Sequence, residues 1–272
     1  LSLWPFFQCA CEEINEFKRG IGKLLITAQR QHDGIALLYS PASVHVGTLT
    51  ADFPALNDEL NDAVKLVHDI GLECRVLSYA QVAEGALTND EFRVLLLVGA
   101  QALSPAEVAA IRSFAAGGGT VIADLRPAVR DGHGKALAAG ALDELFGVRQ
   151  NPEQFAAVRG GLQITAGAGI DLPGDLALPD LVCDGGLQLA GGSALGKVGE
   201  HPALVLSTAA GKAMLLNFGL AGYGKIVDPE GKEGDFAGWA DGEAWRRLMT
   251  ALLDWAGVQR SVITEPVLPH VE

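Results

Sequence analysis

The feature that most constrains this chain is a set of short, uninterrupted apolar stretches alternating with amphipathic ones between residues 34 and 148. Gly34 introduces Ile35, Ala36, Leu37, Leu38 and Tyr39, bounded by Ser40-Pro41. A continuous apolar run of this length is how a strand covered on both faces reads. Leu56, Leu60, Ala63, Val64, Val67 and Ile70 recur at helical spacing, and Gly71 stands where a left-handed C-cap is wanted. Residues 72–77 form the next expected strand, and residues 92–98 (FRVLLLV) give the most pronounced strand signal in the chain. Ser104-Pro105-Ala106-Glu107 has the Ser-x-x-Glu form of a capping box with Pro at the first helical position, so a helix starts there. Val108, Ile111 and Ala115 lie on its inner face, Gly117, Gly118 and Gly119 stop it, and residues 120–124 are a fourth strand. This order predicts parallel strands joined by right-handed crossovers: an α/β fold with a doubly wound, mostly parallel, flavodoxin-like sheet.

The flanks read differently. Ile14, Phe17, Ile21, Leu24, Leu25 and Ala28 fall at three- and four-residue steps, which predicts one amphipathic helix over residues 11–30 that needs a surface to lie on. Ahead of it, Leu3, Trp4, Phe6 and Phe7 cluster around Pro5 with no local partner. Between residues 150 and 202, Gly and Leu alternate with polar residues and no helical stripe persists, so short strands of an antiparallel add-on are expected. Residues 203–207 and 212–217 predict a hairpin across Ala209-Ala210-Gly211. Trp245, Leu248, Met249, Leu252, Leu253 and Trp255 predict a last amphipathic helix closed by Gly257. The expected organisation is an N-terminal segment and helix over residues 1–33, then an α/β domain over 34–272 with a β-rich insertion at about 150–202.

Composition narrows the function classes. With 20 Lys+Arg against 33 Asp+Glu the formal charge is −13, which repels phosphate backbones and anionic lipid, and no basic patch offsets it. Nucleic-acid and membrane-surface binding are therefore set aside, and no apolar run reaches the roughly 18 residues of a membrane helix. Cys9, Cys11, Cys74 and Cys183 are too few and too irregularly spaced for a disulfide framework, which favours a reducing, cytoplasmic compartment. Cys9-Ala10-Cys11 has no second Cys or His pair at zinc-site spacing, so no metal is expected, and nothing in the sequence asks for another cofactor. Residue 1 is Leu, and the chain reads as a piece of a longer protein.

In open α/β sheets, ligands bind beyond the carboxyl ends of the strands. That rim offers Ser43 and His45 after the first strand, and Asp124, Arg126, Arg130, Asp131 and His133 after the fourth. His45, Asp124, Asp131 and His133 are candidate acids or bases, and Ser43 and Arg126 candidate ligand contacts. A Ser, His and Asp on neighbouring loops could form a hydrolase triad, but Ser43 and His45 are two apart without the G-x-S-x-G elbow. Arg126 and Arg130 could meet an anion, or pair with Asp124 and Asp131 beside them. Gly117-Gly118-Gly119 precedes a strand rather than opening a helix, so it lacks phosphate-cradling geometry. Tyr223 and Trp239, after the hairpin, are candidate stacking platforms for a sugar.

Residues 12–25 (EEINEFKRGIGKLL) and 33–40 (DGIALLYS), with Ala102-Leu103-Ser104-Pro105-Ala106-Glu107 and residues 114–123 (FAAGGGTVIA), resemble the stretch leaving the catalytic barrel of beta-galactosidase-like glycoside hydrolases of family 42 and relatives. The resemblance covers residues 11 to about 148. Beyond them it extends only to residues 211–218 (GKAMLLNF) and the final helix. In that family this is the trimerisation domain, similar in fold to class I glutamine amidotransferases. The resemblance implies self-association, with three copies, and a TIM-barrel catalytic domain in the parent chain. An amidotransferase of this class carries a nucleophilic Cys in a Gly-x-Cys-x-Gly elbow, where this sequence has Gly99-Ala100-Gln101-Ala102-Leu103. Gln101 takes the Cys position, and no thiolate can form there. His270-Val271-Glu272 matches the spacing of the partner His and Glu at the end of the chain.

Glycoside hydrolysis needs two carboxylates flanking the sugar bond, supplied in the resembling enzymes by barrel strands. A barrel takes about 250 residues, and this chain spends its length on four or five strand-helix units. The expected function is a non-catalytic assembly domain that also helps to shape a sugar cleft. A small-molecule hydrolase using the loop His and Asp residues, and a carbohydrate-binding module, are the alternatives.

Overall fold

The computed structural model describes residues 4–28, 31–49, 56–88, 91–165, 169–220, 222–229 and 237–260. Leu3, His270 and Glu272 lie outside them, and of the aromatic cluster only Phe7 is described to its side chain. The chain divides into two compact units, Leu1–His32 and Asp33–Glu272.

The first unit is two helices, α1 (Trp4–Arg19) and α2 (Ile21–Thr27). The single expected helix therefore starts earlier and breaks at Gly20, whose backbone angles (φ −99°, ψ −113°) are not helical. Gly22 permits the close return of α2, because a Cβ there would sit 2.7 Å from the Phe17 carbonyl oxygen. Phe7, Ile14, Phe17, Ile21, Leu24, Leu25 and Ile26 are all more than half exposed. Exposed apolar side chains of this number on so short a unit mark an interaction surface where they join into one patch.

The second unit opens with β1 (Ile35–Tyr39), α3 (Pro41–Leu49), α4 (Leu56–Asp69), β2 (Cys74–Ser78), α5 (Tyr79–Ala83) and a 3₁₀ turn at Ala86–Thr88. β3 (Val94–Leu97), a short β4 (Ala102–Leu103), α6 (Pro105–Ala116) and β5 (Thr120–Ala123) follow. Next come β6 (Arg130–Asp131), α7 (Asp143–Phe146), β7 (Val148–Arg149), β8 (Ala157–Gly160), β9 (Leu162–Ile164), β10 (Leu181–Asp184) and β11 (Gln188–Leu189). β12 (Ser193–Val198), β13 (His201–Ser207), β14 (Lys212–Leu216), α8 (Tyr223–Val227) and α9 (Glu243–Ala256) complete the unit.

Eight strands form one sheet in the order β2-β1-β3-β5-β14-β13-β12-β9. From β2 to β14 every neighbour is parallel, and from β14 outward each is antiparallel. The parallel part is the doubly wound layer expected from the alternating runs, and β13–β14 is the expected hairpin. β9 and β12, from the Gly-rich middle, extend this same sheet, while β8 pairs with β10 and β7 with β11 antiparallel beside it.

Strand alternation sorts the core into two layers. Ile35, Leu37, Val94, Leu96, Ile122, Met214 and Leu216 face Leu66 and Val67 of α4 and Leu248 and Leu252 of α9. Ala36, Leu38, Leu95, Leu97, Val121, Ala123 and Leu215 face Val82 of α5 and Ile111 and Phe114 of α6. Both faces of the sheet are thus buried, which is why its strands read as unbroken apolar runs. At the start of α6 the Ser104 hydroxyl accepts from Glu107 N–H and the Glu107 carboxylate from Ser104 N–H, the capping box expected there.

Among the described residues four helices were not expected: α3, α5, α7 and α8. α3 replaces a predicted loop, and its signal was Ser40 followed by Pro41 at the first helical position, with Ser43 N–H donating to Ser40 Oγ at 3.3 Å. α5 is capped in the same way by Ser78 and Gln81.

Gly147 caps α7 at φ +63°, and its carbonyl accepts from Ala190 and Gly192 N–H at 2.8 Å each. An added Cβ would lie 2.4 Å from the Gly192 nitrogen, a backbone atom that cannot step aside cheaply. Gly147→Ala is expected to cost about 2 kcal/mol from the left-handed strain and the clash together, a fall in Tm of about 4–8 °C in a thermal melt. An unchanged Tm would contradict this packing.

Candidate functional site

The rim beyond the parallel strands is where the sequence places its chemistry, and the chain folds back over it. Leaving β3, Ala100 and Gln101 offer their carbonyls to Ala128 N–H (2.8 Å) and Arg130 N–H (2.9 Å). β4 then pairs with β6, Ala102 opposite Arg130 and Leu103 opposite Asp131. The Ser43 hydroxyl accepts from Ala102 N–H at 2.9 Å and lies 3.0 Å from the Ala102 carbonyl, and Ser40 Oγ donates to that carbonyl at 2.9 Å. Ser43 thus fastens the start of α3 to the strand-end loop. His45, two residues on along the same helix, is exposed, so the two side chains do not share a face.

Asp124 follows β5 and is 2% exposed. One carboxylate oxygen accepts from Gly99 N–H at 2.6 Å, and its own N–H donates to Leu97 O at 3.1 Å. Burial raises its pKa to about 7, against the opposing pull of the Gly99 and Leu220 backbone N–H groups. Gln101, at the elbow position, is 6% exposed. A carboxyl poised near neutrality is the chemical property of an acid or base, but here it is enclosed by the rim loop.

Arg126 continues from Asp124 with φ +60° and is 3% exposed. Its guanidinium donates to Asp184 Oδ2 at 2.5 Å and to the carbonyls of Gln154, Asn151 and Pro152 at 2.9, 2.9 and 3.1 Å. The other Asp184 oxygen accepts from Ala156 N–H at 3.2 Å and Gly186 N–H at 2.9 Å. Asn217 holds the Asp184 backbone, donating to its carbonyl at 2.9 Å. Arg126 therefore pins the 151–156 loop and β10 to the rim. Its carboxylate partner is Asp184, 58 residues away, rather than the neighbouring Asp124 or Asp131.

Asp131 and His133 sit in a tight turn. Asp131 Oδ1 accepts from His133 N–H at 2.9 Å and Lys135 N–H at 3.0 Å, and those bonds, Lys135 first, hold its pKa below the usual carboxylate value. Arg130 donates to Gly134 O within the same turn at 3.0 Å.

Tyr223 is fully buried. Its hydroxyl donates to Asp69 Oδ2 at 2.7 Å and lies 3.3 Å from Arg246 Nη1, and burial pushes the phenol pKa up. The Arg246 guanidinium lies over the half-buried Trp239 ring, 3.7 Å from its centroid, and donates to Trp239 O at 2.7 Å. The two aromatic candidates are thus brought together, as parts of a network that ties α4, α8 and α9. Asp69, Asp184, Asn217 and Arg246 were not foreseen, because their partners are distant in sequence and no local spacing marks them.

A groove of about 910 Å³ lies elsewhere, against α6, lined by Leu87, Phe92, Arg93, Ala109, Phe114 and Gly118 among others. None of the sequence-derived candidates lines it. Among the described residues no three His, Cys, Asp or Glu side chains gather in a way that could hold a metal ion. Among the same residues no helix is long and apolar enough to cross a membrane.

No family model matches the sequence, and no curated protein matches it. Solved structures do. A beta-galactosidase from Rahnella sp. R3 superposes with a TM-score of 0.66 at 13% identity, over 86% of this chain and 32% of that one. A beta-galactosidase from Bacillus circulans sp. alkalophilus gives 0.64 at 13% identity, over 86% and 32%. A GH42 beta-galactosidase from G. stearothermophilus gives 0.63 at 14% identity, over 87% and 31%. The chain spans about a third of the length of these enzymes, and at such identity the likeness is one of fold. The resemblance read from residues 11–148 holds at that level: the chain shares the fold of a partial domain of GH42 beta-galactosidases.

Proposed function

We propose that the chain is a non-catalytic assembly domain, of the trimerisation type and class I glutamine amidotransferase-like, belonging to a beta-galactosidase-like glycoside hydrolase. The observation that carries this reading is the match of 86% of this chain to 32% of the length of two beta-galactosidases. In it, residues 1–33 leave a TIM-barrel catalytic domain, residues 34–272 form the assembly domain, and the 150–202 region helps to shape a sugar cleft. Three features support it. Gln101 stands where an amidotransferase nucleophile would be, the rim is closed by the chain's own loops, and the α1–α2 face is apolar and exposed. A cytoplasmic, reducing setting suits the four free cysteines.

The test is hydrolysis of aryl galactosides, esters and amides by the purified chain. The expected result is a rate indistinguishable from buffer, unchanged in His45→Ala and Asp124→Asn. The second reading, an enzyme using a rim acid, has one observation in its favour, the Asp124 pKa of about 7. Turnover abolished by Asp124→Asn in a folded variant would establish that reading in place of the first.

A further inference from the structure

We draw no further inference here: the strongest candidate, the exposed apolar face of helices α1 and α2 around Phe7, Ile14, Phe17, Leu24 and Leu25, already serves the assembly reading, and nothing in the structure shows whether a second copy or another domain covers it.

Discussion

Replacing Arg126 by Met is expected to destabilise the α/β unit by about 3–5 kcal/mol, the cost of leaving a buried carboxylate without its cation. Asp184 is 1% exposed, and the 2.5 Å contact with Arg126 is its charge-neutralising partner. The same change removes the donors that hold the Asn151, Pro152 and Gln154 carbonyls. Asp184→Asn should cost less, because the amide still accepts through one oxygen while the stranded charge is moved to Arg126, which has those carbonyls around it. Arg126→Met combined with Asp184→Leu should recover part of the loss, because a buried pair replaced on both sides no longer carries an isolated charge. Urea denaturation of the three variants reads these differences. A loss below about 1 kcal/mol in Arg126→Met would mean that the pair is solvated and the rim loop is held by something else.

Asp124 should make the protein less stable as pH rises through the acid range. Its folded pKa of about 7 lies above the ordinary 3.8, so the folded state holds a proton that the unfolded state has released. The associated stability is fully present below about pH 4, is lost progressively between about 4 and 7, and is gone above. At about 1.4 kcal/mol per pH unit the full loss is up to about 4 kcal/mol. Asp131 and Asp175 have lowered pKa values and act with the opposite sign, losing stability as pH falls through the low-acid range. The informative quantity is therefore the difference between wild type and Asp124→Asn. The amide keeps an acceptor for Gly99 N–H and cannot ionise, so the variant should gain on the wild type steadily from pH 4 to 7 in guanidinium or thermal melts. Parallel stability curves for the two proteins would show that Asp124 is hydrated and titrates normally.

The parallel layer was legible because burial on both faces removes any reason for polar alternation. Ile35–Tyr39 and Val94–Leu97 carry almost nothing but apolar side chains, and local chemistry at Ser104-Pro105-Ala106-Glu107 marks the helix between neighbours. α3 was missed because Val44, Val46, Gly47 and Thr48 weaken the helical pattern, while the Ser40-Pro41 start signal was read only as the end of a strand. The break at Gly20 was hidden because the stripe keeps its period across it, and a turn of the chain there changes no residue type.

The candidate site was legible only as a neighbourhood. The rim held Ser43, Asp124 and Arg126 as expected, but their roles depend on partners set by tertiary contact: Ala102, Gly99 and Asp184. Tyr223 and Trp239 illustrate the same limit. Their surroundings in a Gly-rich stretch suggest exposure, whereas Asp69, 154 residues from Tyr223, and Arg246 draw them inward.

Sedimentation of the purified chain over a wide concentration range tests the assembly account most directly. A species at three times the 28.4 kDa chain mass is the predicted result. A strict monomer at every concentration would contradict it.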